Sequence, residues 1–400
     1  MLVSWYNIKV MGLFSSKNKE KLVAIFDIGS GSVGGALVSI PKDGKSLPTI
    51  IKSTRTDIVT RKELDFDLFL KDMILALGFA TRSISQSKLG APDEIVCVLA
   101  SPWYISETRL IKISKEHSFV FSKKTIDELI LKEMTSLNTL YQNKYENVGS
   151  TPEVIEHPIV GVSLNGYHVD DPIGKKTRSI EIDMIISLSP KLCLDKIKET
   201  ISKSFHSIPV SFSSFIVSTY IAVKDKYMNH DSYLLLDIGG EVTDVGIVAK
   251  GILRDSLSFP YGKKTLFREI CKKLKIELRD AYEIFSLFNK DTLSDKEKDK
   301  LTPILDSIQK SWAESFKESI SALPRTLTLP NVMFLTIDSD IKDWFVKTIN
   351  NDEYIESMIP NKKFSLVTLD GPEFLNMCNI KNSNCDPFLM IESISVMRKM

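Results

Sequence analysis

Two aspartates sit in matching settings. Ala24–Ile40 reads AIFDIGSGSVGGALVSI, and Leu234–Val248 reads LLLDIGGEVTDVGIV. In each, an apolar run ends in Asp-Ile-Gly, passes through small residues and turns apolar again. The flanks predict short buried strands. The break predicts a tight turn, because glycine takes backbone angles closed to other residues. A bare turn presents N–H groups that no Cβ shields, which suits a phosphate. An aspartate ending a buried strand can hold a hydrated Mg²⁺ against that phosphate. For one stretch alone, a glycine-rich hairpin without a ligand explains the pattern equally well. Two copies, led by Asp27 and Asp237, suggest facing hairpins that hold a nucleotide's phosphates from both sides.

The elements around the hairpins follow from periodicity. The opening reads as three strands, a helix with Phe66, Phe69, Leu70, Ile74, Leu75 and Leu77 at helical spacing, and the buried strand DEIVCVLAS. From about Trp103 to Phe205 a strand–helix–strand–strand–helix unit interrupts this pattern. SFSSFIVSTYIAVKDKY reads as a helix leading into the second hairpin. A long helical stretch from Arg279 to Leu323 is broken in the charged NKDTLSDKEKDKLTPIL, and the strands NVMFLTI and KFSLVTLD follow. The last element is a helix capped by Asp386 with Pro387 in its first turn.

The composition is that of a globular protein. The chain has 400 residues, 43% hydrophobic and 26% charged, with net charge +1, so nothing marks a nucleic-acid binder. Five scattered cysteines without a C-x-x-C fit a reducing compartment and argue against a disulfide framework or a zinc site. The histidines form no metal-binding cluster. No apolar run reaches the roughly 20 residues of a membrane span. Residues 1–20 are apolar and aromatic up to Phe14 and basic after it, the reverse of a signal peptide. They read as an extension, disordered or in contact with a membrane surface or a partner.

Two Asp-Ile-Gly hairpins, each opening a strand–helix–strand half, resemble the actin/sugar-kinase/Hsp70 ATPase superfamily. VIEHPIVGVSLNGYHVDDPIGKKTRSIEIDMIISL resembles the small inserted subdomain (1C or SHS2-like) of the FtsA cell-division proteins, and SFPYGKKTLFREICKKLKIELRDAYEIF the segment after their second phosphate motif. MGLFSSKNKEKLVAIFDIGSGSV resembles the start of PilM, their pilus-assembly relative. The resemblance implies an α/β, actin-like (ribonuclease H-like) duplicated fold with two halves around a nucleotide cleft. The first half would comprise 21–102, 206–231 and 386–400, the inserted subdomain 103–205, and the second half 232–385 with a helical subdomain at about 265–325.

The resemblance also implies ATP and Mg²⁺ as cofactors. Asp27, Gly29, Ser30, Gly31 and Ser32 would form the first phosphate loop, and Asp237, Gly239, Gly240 and Thr243 the second. Asp27 and Asp237 would hold Mg²⁺ through water. Asp244 would lie close by, as a catalytic candidate together with Glu241. Glu241 stands where many members have glycine, so it repels a triphosphate unless it points away or meets Mg²⁺, or it instead orients attacking water. The adenosine side departs further. VMFLTIDSDIKDW has no glycine near Thr336–Ser339, and DAYEIFSL lacks the lysine often found on the adenine-side helix. Weak nucleotide binding or very slow ATPase turnover is therefore expected. FtsA proteins usually end in a linker and an amphipathic membrane helix, whereas this sequence stops at the closing helix.

Two functions are implied. An FtsA-like homologue would bind ATP-Mg²⁺, self-associate through the inserted subdomain and link a cytoplasmic ring or filament to the membrane. A PilM-like scaffold would hold a short peptide of a membrane protein beside that subdomain. Both place the protein in the cytoplasm at the inner face of the membrane, reached through a partner or the N-terminal segment. A small-molecule kinase is disfavoured, because the insertion stands where a substrate pocket would be needed.

Overall fold

Both predicted hairpins form. The structure, a computed structural model, describes residues 20–43, 45–146, 149–323, 327–351, 364–381, 384 and 386–400. Residues 1–19, which carry the expected membrane or partner contact, lie outside the described residues. In the first half, β1 (Glu20–Ile28), β2 (Ser32–Pro41) and β3 (Thr49–Asp57) form an antiparallel meander. Helix α1 (Phe66–Ser85) then crosses to β4 (Glu94–Leu99), which pairs parallel to β1. Residues Val23–Ile28 are all buried, as expected of a central strand covered on both faces.

The inserted unit follows. It comprises β5 (Ile105–Val120), α2 (Lys123–Glu146), β6 (Pro152–Glu156), β7 (Ile159–Leu164), β8 (Tyr167–His168) and β9 (Lys176–Pro190). β9 is the hub, pairing with β5, β6 and β7. The unit has its own core, which includes Ile111, Phe121, Ile130, Leu137, Ile182 and Met184. Helix α3 (Lys191–Ser202) ends the insertion in sequence but not in packing. Its Cys193, Leu194, Ile197 and Ile201 belong to the core of the first half.

The chain returns to the first sheet through β10 (Val210–Ser214), which pairs parallel to β4 and leads straight into α4 (Phe215–Lys226). The whole SFSSFIVSTYIAVKDKY stretch is expected as helix. Its first residues are a strand, and no turn residue separates the two elements, so the apolar run hides the change.

The second half repeats the first. β11 (Tyr233–Ile238), β12 (Thr243–Ala249) and β13 (Ile252–Phe259) form the meander. Helices α5 (Lys263–Leu274), α6 (Leu278–Asn289) and α7 (Asp295–Ser321) then lead to β14 (Val332–Ile337), parallel to β11. The break between α6 and α7 falls at the Ser294 capping box. After α8 (Lys342–Ile349), β15 (Ser365–Thr368) pairs parallel to β14. The sheet orders β3-β2-β1-β4-β10 and β13-β12-β11-β14-β15 are therefore the same, the signature of a duplicated α/β fold. β16 (Asn379–Ile380) crosses back to pair with β3, so this short segment belongs to the first sheet, not to the second half. The closing helix, α9 (Pro387–Lys399), packs into the first core, and Asp386 caps it as expected by accepting from the Phe388 and Leu389 N–H groups.

Candidate functional site

The two hairpins have the same turn. Gly29 N–H donates to the Ser32 carbonyl at 3.1 Å, and Gly239 N–H to the Val242 carbonyl at 3.0 Å. Each lead aspartate ends its strand, with Asp27 opposite Gly34 and Asp237 opposite Asp244. The tips of the hairpins touch. A Cβ on Gly240 would lie 2.3 Å from the Gly31 nitrogen and 2.4 Å from its Cα. The Glu241 N–H donates to Ser30 Oγ at 3.0 Å. The Gly239 and Gly240 carbonyls accept from the Lys263 and Lys264 N–H groups at 2.9 and 2.7 Å, which seats the start of α5 on the second tip.

The acids nearest the tips, Asp27, Asp237, Glu241 and Asp244, are buried, and all four have partners. Arg55 on β3 reaches Asp27 Oδ2 at 2.8 Å and Ser32 Oγ at 2.8 Å, and it grips Asp386 at 2.7 and 3.0 Å. Burial pushes the Asp27 carboxyl up, against the pull of Arg55. Glu241, 7% exposed, makes a two-pronged pair with the Arg268 guanidinium on α5. Lys263 Nζ meets Asp338 at 3.0 Å and Asp340 at 2.8 Å. Asp237 accepts from Thr336 Oγ1 at 2.7 Å, and Asp244 from Ser258 Oγ. Burial raises both carboxyls, and for Asp237 the neighbouring Asp244 adds to the effect. Thr243 Oγ1 donates to the Tyr261 carbonyl. The halves are also bridged above the tips, by Thr60 with Tyr282 at 3.1 Å and Lys62 with Glu277 at 2.7 Å.

With this geometry described, the chain can be set beside known proteins. Over 199 residues it is 27% identical to the cell division protein FtsA of Buchnera aphidicola subsp. Baizongia pistaciae (strain Bp), a stretch covering 42% of this chain and 46% of that protein. The match thus spans less than half of that relative's length. Among solved structures, PilM in the PilM–PilN type IV pilus biogenesis complex superposes with a TM-score of 0.56 at 11% identity, over 94% of this chain and 96% of that one. The fold is that of the actin-like ATPases, and the chain is FtsA/PilM-like. The ethanolamine utilization protein EutJ of Carboxydothermus hydrogenoformans gives a TM-score of 0.42 at 10% identity, covering 96% of this chain and 91% of that one. No protein-family model matches the sequence.

Of the expected phosphate-loop residues of this FtsA/PilM-like chain, Ser30, Gly31, Gly239 and Gly240 meet where the tips touch, Asp27, Gly29, Ser32 and Asp237 flank them on their own hairpins, and Thr243 turns its hydroxyl away to the Tyr261 carbonyl and Trp312. Arg55, Arg268 and Lys263, the cations that meet the acids here, carry no signal in a linear reading, and Asp386 shows there only as a helix cap. The nearest hint is Gly34. It faces Arg55 across β2 and β3, and a Cβ there would lie 2.8 Å from the guanidinium. Mg²⁺ takes a near-octahedral shell of oxygens and keeps several waters. With the tips in backbone contact and a guanidinium on Asp27, the residues as placed do not fit Mg²⁺-ATP between the hairpins.

A second concavity lies elsewhere. A groove of about 790 Å³ runs between β6 and β7 of the inserted unit, β4 and β10 of the first sheet, and the end of α9. Val96, Ile155, Val160, Ile173, Phe212 and Val396 supply apolar lining. β10 is the edge strand of its sheet and faces this groove with Ser211, Phe212 and Ser213.

Glu156 fastens one wall of the groove. It accepts from the Ser214 N–H at 2.6 Å, Ser213 Oγ at 2.8 Å and Lys399 Nζ at 2.9 Å. Burial alone would push its carboxyl up, but Lys399 and the serine hydroxyls outweigh burial and hold it below its usual range. An acid depressed in this way stabilises the fold above its unfolded pKa of about 4.3, and the contribution is lost as pH falls through the folded value. Glu156→Ala should therefore cost about 3 kcal/mol near neutral pH, and the deficit should shrink below about pH 4. Urea denaturation at both pH values checks this. An equal deficit at the two would mean that the ionised carboxylate is not what holds the wall.

Proposed function

We propose that this chain is a PilM-like cytoplasmic scaffold that holds a short, extended segment of a membrane protein in the groove beside the inserted unit. The observation that carries this reading is the groove itself, lined in part by apolar side chains and faced by the edge strand β10, whose last N–H, at Ser214, is taken by Glu156 while Ser211 and Phe212 line the groove. An extended peptide can add to such an edge, with main-chain hydrogen bonds giving affinity and wall pockets selecting side chains. The superposition on PilM supports the reading. Such a segment would also supply the contact with the membrane, since no described helix is long and apolar enough to cross one. The FtsA-like alternative keeps Mg²⁺-ATP, with Asp27 and Asp237 on the metal and slow turnover, as the trigger of filaments in cell division. We favour the first, supported by the protein partners already on Asp27 and Glu241.

The test is fluorescence polarisation against a panel of labelled peptides from the cytoplasmic ends of membrane proteins. One should bind, and Ile173→Glu, an exposed change in the groove wall, should lower its affinity at least tenfold with melting unchanged. Binding that survives Ile173→Glu would sink the reading. Filaments that pellet only with ATP would favour the FtsA-like alternative.

Self-association through the inserted subdomain is a second reading. It is favoured by the edge position of β5 and by the exposure of Leu131 and Leu140 on α2. Sedimentation of wild type beside Leu131→Lys/Leu140→Lys separates it from a monomeric scaffold, because only an associating wild type would sediment faster than the variant.

A further inference from the structure

We propose that Arg55 is a resident cation standing at Asp27 where an actin-like ATPase would place hydrated Mg²⁺, so that protein groups alone complete this end of the cleft. The proposal rests on the hairpin geometry and is independent of what the groove binds.

The guanidinium uses most of its fork. It meets the lead aspartate of the first hairpin, the Ser32 hydroxyl at the far side of the same turn, and both oxygens of Asp386. It thereby ties β1, the β2 start, β3 and the N-terminus of α9, elements that are far apart in sequence. The Phe388 ring lies 5.1 Å from the guanidinium carbon and closes one of its faces. Asp386 serves twice, as the cap of α9 and as the second anchor of Arg55. The site has room for the guanidinium because the residue opposite Asp27 is a glycine. Any side chain at Gly34 would meet Arg55 at 2.8 Å and the Asp27 Cβ at 3.3 Å.

Charge leads to the same conclusion. Arg55 keeps its proton at any accessible pH, and its acids raise its pKa well above the usual range against the effect of burial. A divalent ion drawn to Asp27 would stand beside a fixed positive charge in a partly dry site, where repulsion is weakly screened. The rest of the cleft follows the same plan. Arg268 serves Glu241, and Lys263 serves Asp338 and Asp340. Three side chains thus answer acids that a metal and a triphosphate would otherwise have to meet. Asp237 and Asp244 have uncharged partners, Thr336 for the first and Ser258 and Ser101 for the second, and burial favours their neutral forms, as it does for the fully buried Glu392 beside Asp27.

The experiment is a melting comparison of the full chain with and without millimolar MgCl₂, against KCl of equal ionic strength, each with and without ATP. For the wild type, Mg²⁺ and Mg²⁺-ATP should give the same melting temperature as the matched salt. Arg55→Met should melt lower, because Asp27 and Asp386 lose their cation. Mg²⁺, but not matched KCl, should restore about half of that loss or more, since a ligand that binds only the folded state stabilises it. Should Arg55→Met fail to fold, Arg55→Gln removes the charge but keeps a side chain able to hydrogen-bond Ser32 and Asp386, and it should show the same Mg²⁺ dependence. Saturable stabilisation of the wild type by Mg²⁺-ATP would overturn the proposal. So would variants that melt like the wild type, or that regain nothing with Mg²⁺.

Discussion

Replacing Glu241 with glycine should cost the protein about 3 kcal/mol and bring no ATP binding in return. Resemblance to actin-like ATPases suggests the opposite, because a carboxylate in a position usually held by glycine looks like an obstacle to a triphosphate, or a base for its water. Removing an obstacle would tighten ATP by roughly 1–3 kcal/mol. Removing a water-orienting base would slow hydrolysis by about 10²-fold. In the structure the Glu241 carboxylate is 7% exposed and forms a two-pronged pair with Arg268. Glu241→Gly leaves a guanidinium that is 17% exposed without its acid, and an unpaired buried charge costs far more than the pair contributes. Adding Arg268→Leu should recover most of the loss, since a matched apolar replacement of a buried pair is often neutral. Urea denaturation of the wild type, the single variant and the double variant measures this. A single variant as stable as the wild type, or one that gains saturable ATP affinity, would return Glu241 to the phosphate.

The contrast shows which features of the site are legible in the sequence. The hairpins are legible because both strands and the turn lie within one short window, and the Asp-Ile-Gly triplet marks each copy. The duplicated fold follows from them, and the repeated sheet order bears it out. The partners of the acids are not legible, because they arrive by topology. Arg55 reaches Asp27 across a neighbouring strand, Asp386 joins from the closing helix, and Arg268 comes from a helix seated on the second tip. Each is an ordinary charged residue in its own window. The missing glycines near Thr336–Ser339 are a hint of the same kind. Thr336 bonds to Asp237, and Asp338 holds Lys263, so this segment is occupied by side-chain partners. β10 is lost in the sequence for a simpler reason. Five residues of strand run directly into a buried helix, and periodicity over such a window reports the longer element.

The contact between the hairpin tips gives the other large effect. Gly240→Ala should destabilise the protein by about 3 kcal/mol, and Gly31→Ala by about 1 kcal/mol or less. The two glycines face each other, but their missing side chains point differently. A Cβ on Gly240 would lie 2.3 Å from the Gly31 nitrogen, 2.4 Å from its Cα and 2.6 Å from the Ser30 carbonyl carbon. All three are backbone atoms, so no side chain can turn aside, and the tips must part. Parting them breaks the Glu241 N–H bond to Ser30 and strains the Gly240 carbonyl bond to Lys264. A Cβ on Gly31 would lie 3.3 Å from the Gly240 Cα, a contact that a shift of a few tenths of an ångström relieves. The ordering of the two variants therefore reports whether the tips stay together in solution. If nucleotide or thermal motion holds them apart, Gly240→Ala meets only open space and melts like Gly31→Ala. If protein contacts hold them shut, Gly240→Ala melts several degrees lower, and Mg²⁺-ATP does not reverse the loss.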